Sequence, residues 1–192
     1  VLNGENMRDV IMKMLNDIVE GAVDMSIGDE QSADKWNFKE LNELILPIIP
    51  LKPLELNDEI RHMKKDELKH ALKEKATKFY EAKEAEFPDA EQIREIERVV
   101  LLKVIDNKWM SHIDDMDQLR QGIGLQAYGQ RDPLVEYKMS GYEMFEDMSS
   151  AIREDTVRIL CHIRVEQKIE REAAARVTGT NRDNTAARTP QR

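Results

Sequence analysis

The apolar residues of this chain recur every three or four positions over two long stretches, and the segment between those stretches constrains the fold more than any other feature. Leu102, Ile105, Trp109, Ile113, Met116 and Leu119 mark one stripe, and Phe145, Met148, Ile152, Ile159 and Ile163 mark the other. Each has the period of a helix with one apolar face. Residues 118–133 interrupt the pattern with Gly122, Gly124 and Gly129 and end on Asp132-Pro133, which reads as a helix stop. Two antiparallel helices over residues 89–121 and 134–166, joined by a tip, are the expected result. A helix–helix connection usually takes about 2–8 residues. A longer one that carries Leu125, Tyr128 and Arg131 reads as a tip presented to something else.

Composition points to an all-α chain. Charged residues make up 35% and aromatic residues 5%, while Ala, Leu, Lys, Glu, Met and Arg are abundant, which is poor material for a β-sandwich and good material for helices. The length of 192 residues permits one domain or two small ones. A helical pattern (Met7, Val10, Ile11, Met14, Leu15, Ile18) begins almost at Val1, so the chain is expected to be a piece of a larger protein. The single cysteine, Cys161, excludes an internal disulfide and suits a reducing compartment, so the cytoplasm is the expected location. No apolar run approaches the roughly 18 residues of a membrane span, so any membrane association is expected to be peripheral. A net charge of −9, with basic residues alternating with acids, argues against nucleic acid as a partner.

Along the chain, a first helix is expected over residues 6–25, ending at Ser26-Ile27-Gly28, and then a polar linker over residues 29–35. A short helix with Trp36, Leu41, Leu44 and Ile45 as its apolar positions follows. Pro47, Pro50 and Pro53 forbid helix beyond it, and Ile48, Ile49 and Leu51 are expected to pack as an extended segment. Helix resumes over residues 65–87, with Leu68, Leu72, Ala76 and Phe79 on one face and Glu74 four residues before Lys78, until Pro88 ends it. Asp89 is the expected N-cap of the next helix, with Gln92 completing a capping box. Residues 99–105 are apolar on nearly every side, as in a helix buried by several neighbours. Beyond Lys168 the apolar content vanishes, which predicts a disordered tail.

Several groupings tempt a chemical reading. His112, Asp114, Asp115 and Asp117 have the composition of a metal site, but on a helix only His112 and Asp115 share a face, so a solvated surface is preferred. Gly122, Gly124 and Gly129 resemble a phosphate loop, yet they follow a helix C-terminus, where the dipole repels anions. No G-x-x-x-x-G-K-[ST] pattern is present, so the chain alone is not expected to hydrolyse ATP. Cys161 lies at helical spacing and reads as an inert buried thiol. Most of the ten methionines fall at core spacing and read as packing, with a Met-lined surface for varied clients as the sharper alternative.

From Trp109 through His112, the tip and Tyr137, followed by Met144-Phe145, the chain resembles the C-terminal region of SecA, the motor ATPase of bacterial protein export. Weaker similarity runs from Met7 through Trp36 to about Val165. The resemblance implies the end of a long scaffold helix (residues 1–25), a small helical wing domain inserted over residues 26–87, and a helical scaffold two-helix finger over residues 88–168. A disordered tail follows over residues 169–192. It implies no catalytic residue and no cofactor in this chain, with ATP and Mg held by the parent's motor domains. It further implies contact of Leu125, Tyr128, Gln130 and Arg131 with the SecYEG channel and the preprotein, and of Trp109 and Arg120 with the motor domains. An aromatic with a polar handle, Tyr128, suits surface grip on an arbitrary extended chain. The implied location is the cytoplasmic face of the bacterial plasma membrane, with anionic lipid reached through the parent. The Cys/His metal-binding tail usual in the family has no counterpart in these residues. The rival from another class is a free-standing helical adaptor that holds partners together without motor domains. An enzyme using the tip as its site is weakened by the lack of a positioned nucleophile or base.

Overall fold

The computed structural model describes residues 4–28, 32–126 and 132–164, and among them every regular element is a helix, with no strand. Helix α1 spans Gly4–Ser26. Its residues Met7, Ile11, Leu15, Val19 and Val23 form an unbroken row four apart, and all five are sealed from solvent. Ser26 closes the helix by donating its hydroxyl to the Ala22 carbonyl at 2.7 Å. A single 3-10 turn, Ala33–Lys35, leads to α2, Phe38–Ile45. Trp36 lies before α2, not in it, and is buried with its ring 6.0 Å from that of Phe38. Asn37 caps α2 by accepting from the Glu40 N–H at 3.1 Å.

The proline segment departs from the extended form expected of it at its start. The Ile48 and Ile49 N–H groups both donate to the Ile45 carbonyl, at 3.0 and 2.8 Å, so the chain makes a tight turn directly after α2. Pro47 fits because its fixed φ suits such a turn. Ile48 and Ile49 are buried as a result. Asn42 then fixes the next stretch with two hydrogen bonds to Leu54, its amide donating to the carbonyl and its oxygen accepting from the N–H, both at 2.8 Å. A short helix not foreseen from the sequence, α3, spans Asp58–Arg61 and is capped by Asn57.

Helix α4 spans Lys65–Glu84 and packs on α1 through Leu68, Leu72, Ala76 and Tyr80. The expectation of Phe79 on this face is corrected: the strict four-residue step selects Tyr80, and Phe79 lies at the margin, partly buried. The charges show the direction of the pair. Asp24 meets Lys65 and Lys69, both at 2.8 Å, Glu20 meets Lys73 at 2.6 Å, and Arg8 meets Glu81 at 3.1 Å, so α4 runs antiparallel to α1. The expected Glu74–Lys78 pair is present at 2.6 Å.

Helix α5 spans Ala90–Gln126, and α6 spans Pro133–His162. At about 1.5 Å per residue, the 37 residues of α5 make a rod of roughly 55 Å. Asp89 accepts from the Glu91 N–H at 3.0 Å at its start. The helix does not end at Gln121 as expected but runs through Gly122 to Gln126. A helical glycine costs only about 1 kcal/mol, and the neighbouring turns carry it. Nor is Asp132-Pro133 a stop. Asp132 accepts from the Leu134 N–H at 2.9 Å and Pro133 takes the first helical position, which together form a helix start.

Lys108 pairs with Asp155 at 2.6 Å, the His112 ring lies 6.1 Å from that of Phe145, and Met116 packs on Gly141. Numbers rise on α5 as they fall on α6, so the two run antiparallel. The expected seam was wrong in register: Leu102, Trp109 and Ile113 are exposed, as are Phe145 and Ile159. The buried side of α5 carries Ile93, Glu97, Leu101 and Val104, and α6 contributes Met148, Thr156, Val157, Leu160 and Cys161. Residues 99–105 offer apolar groups on several faces, and packing uses only one, which leaves Val99 and Leu102 in solvent. The main core joins α1, the segment through α2 and α3, α4 and the C-terminal half of α6.

Candidate functional site

The last turns of α1 reach the level of Ser150 and Arg153 on α6, where Ile18, Gly21 and Met25 share a groove with those residues and with Leu44 and Ile48. Beyond that level α5 and α6 continue together. Between residues 105 and 147, Ile123 is the only side chain among the described residues that is buried. A pair of helices usually buries a continuous apolar stripe. This one leaves Trp109, Met110, Ile113, Leu134, Val135, Met139, Tyr142 and Phe145 in contact with solvent.

An aromatic cluster ties the two helices together. The Trp109 and His112 rings are 5.9 Å apart, and His112 meets Phe145 edge-on. Trp109 is nonetheless 48% exposed, so the expectation that it is a core residue is overturned. His112 also lines a groove with Lys108, Asp115, Met144 and Asp147. No group of three or more His, Cys, Asp or Glu side chains is placed to hold a metal ion among the described residues. Arg120 lies farther out, mostly exposed and paired with Asp117 at 3.2 Å, a surface contact worth little to the fold. Tyr142 donates its hydroxyl to Glu146 at 2.9 Å, and that carboxylate raises the phenol above its ordinary pKa.

Trp109 and Arg120 therefore share one helix but are separated by about 16 Å of its axis, so they do not form one compact site. Leu125 lies in the last turn of α5, and its side chain is outside the described residues, as are Tyr128, Gln130 and Arg131. Cys161 is buried, and loss of solvent pushes its thiol up to about 12, which removes it as a nucleophile. Sequence reasoning missed the exposed row Val135, Met139 and Tyr142, whose spacing of four and three marks a second face of α6. No helix among the described residues is long and apolar enough to cross a membrane.

Comparison with known proteins identifies the family. Residues 1–164 match the family described as the SecA Wing and Scaffold domain. A protein translocase subunit SecA from Lachnoclostridium phytofermentans is 65% identical over 191 residues, 99% of this chain and 22% of that protein. One from Clostridium botulinum strain Okra is 43% identical, covering 95% of this chain and 22% of its own length. One from Finegoldia magna is 44% identical, covering 93% and 19% respectively. The chain thus spans about a fifth of the length of these relatives. A family match over nearly all of the helical architecture, joined to identity across almost the whole chain, shows that this chain belongs to the SecA wing and scaffold family of protein translocase subunits.

Proposed function

We propose that this chain is the wing and scaffold part of an ATP-driven preprotein translocase and that its work is mechanical coupling. In this reading α1 is the end of the long scaffold helix, the segment through α4 is the inserted wing, and α5 with α6 is the two-helix finger. ATP and Mg are bound by motor domains in the rest of the parent. The finger carries their changes of state to the SecY channel and to the preprotein, which it meets through Leu125, Tyr128, Gln130 and Arg131. Trp109 and Arg120 contact the motor. The parent works on the cytoplasmic face of the membrane, held there by channel and anionic lipid.

The observation that carries this reading is the bare outer half of the helix pair. Eight large apolar side chains stay exposed there while the base of the same pair is packed into the core. Exposed apolar patches of this kind mark contact surfaces, and a long antiparallel pair is stiff enough to transmit displacement along its axis. The test is a Tyr128→Ala change in the full-length translocase, with export of a preprotein and thermal unfolding measured together. Export should fall while the melting temperature holds, because loop-tip changes alter stability by only about 0.5 kcal/mol. Normal export would reject the role of the tip.

A further inference from the structure

A polar cluster joins three helices at the end of the molecule opposite the outer helix pair. Glu97 of α5 is wholly buried, and its Oε1 accepts from the Tyr80 hydroxyl of α4 at 2.6 Å and from Arg94 at 2.5 Å. Arg94 also donates to Glu84, the last residue of α4. Glu84 in turn accepts from Arg8 of α1 at 3.3 Å, and Arg8 reaches Glu81 at 3.1 Å. The Arg94 and Glu84 side chains are only 16% and 14% exposed. The cluster therefore spans the turn between α4 and α5, and Arg8 joins α1 to it on the α4 side, through Glu84, which Arg94 of α5 shares.

Apolar packing alone does not set the position of α1 along its axis. Its buried row repeats every four residues, so a slide of one turn would set another apolar side chain in every position but the one at the row's end. The cluster does not repeat. A slide of one turn would bring Met12 or Gly4 opposite Glu84 in place of Arg8. That leaves a largely buried carboxylate with one cation fewer, which a low-dielectric site penalises heavily. We propose that Tyr80, Glu84, Arg94, Glu97 and Arg8 form a registration lock that makes α5 follow axial movement of α1 instead of letting the two helices slip. The lock rests on the coupling role proposed above and locates where the coupling is made. The ion pairs at the other end of the α1–α4 seam do repeat, Asp24 meeting Lys65 and Lys69 and Glu20 meeting Lys69 and Lys73, so a slide of one turn exchanges partners there instead of losing them.

The test is a distance distribution between spin labels at the exposed positions Lys13 and Lys103, one on α1 and one on α5, in a Cys161→Ala background. The unaltered lock should give one narrow distance. Arg8→Met and Arg94→Met each remove a guanidinium while keeping an apolar stem, and each should add a second population displaced by about 5.4 Å along the axis, one helical turn. Lys73→Met, at the end of the seam where the pairs repeat, should leave the single distance unchanged. A single wild-type distance in the Arg8 and Arg94 variants would overturn the proposal whatever happens to their melting temperatures, since it would show a stabilising cluster and no lock. So would an equal displacement in Lys73→Met. If Arg94→Met does not fold, Arg8→Met decides, because Arg8 lies at the rim with its side chain 39% exposed. The measurement involves no ATP and no export, so it can fail or succeed independently of the role of Tyr128.

Discussion

Replacing Trp109 by Ala should destabilise this chain less than replacing Leu72 by Ala, although tryptophan loses more atoms. A Trp side chain buries about 150–250 Å² when enclosed. With Trp109 about half exposed, roughly 100 Å² of it leaves water on folding, worth about 2.5 kcal/mol at about 25 cal/mol per Å². A compact denatured chain already shields part of that area, which reduces the loss to about 1.5–2 kcal/mol. Leu72 is only 1% exposed, between α4 and α1, and its truncation leaves a cavity costing about 3–5 kcal/mol. Urea unfolding of the unaltered chain and the two variants, followed by circular dichroism and compared at a common slope, reads the difference as a shift in midpoint. A loss for Trp109→Ala equal to or greater than that for Leu72→Ala would place Trp109 in the core and remove it from the exposed surface.

Two further outcomes concern titration. Hydrogen bonds from Lys65 and Lys69 hold the Asp24 carboxyl below its ordinary pKa, and Lys73 does the same for Glu20. A depressed carboxylate stabilises above its unfolded pKa of about 4 and loses that contribution as pH falls through the lowered folded value. Melting temperature should therefore drop on acidification below about pH 4, and Lys73→Met should flatten the drop; an equally steep profile in that variant would contradict the assignment. Cys161 behaves in the opposite sense. Its thiol is raised to about 12 by burial, so stability is complete below the ordinary thiol pKa of about 8.5 and declines as pH rises above it. A thiol reagent at pH 8 should label Cys161 at the rate of unfolding, and rapid labelling of the folded chain would show the thiol to be accessible.

The parts of the fold legible in the sequence are those where one apolar row has one partner. The α1 row from Met7 to Val23 and the α4 row through Leu68, Leu72 and Ala76 could be read directly, because each has a polar opposite face. Helix α5 could not be read in this way. With Val99, Val100, Leu101, Leu102, Val104 and Ile105 so close together, periodicity offers two or three faces, and only packing against α1 and α6 chooses Leu101 and Val104. Asp132-Pro133 was ambiguous in principle, since proline ends one helix and opens another with equal ease. The lock was invisible because its members come from separate parts of the chain, Arg8 and Glu84 being 76 residues apart. The tip residues stood out by composition, but their roles came from family resemblance. The exposure of Trp109 depends on which face packing leaves bare, and so belongs to the structure alone.

The claim that the outer end of this helix pair touches the moving polypeptide is tested most directly by placing a photo-activated cross-linker at Tyr128 of the full-length translocase. Illumination during ATP-driven export of a stalled preprotein should give adducts with the preprotein and the channel, and the preprotein adduct should disappear when the preprotein is omitted or nucleotide is withheld. Adducts that form only within the translocase itself, unchanged by preprotein and nucleotide, would contradict the account and make the tip a structural loop.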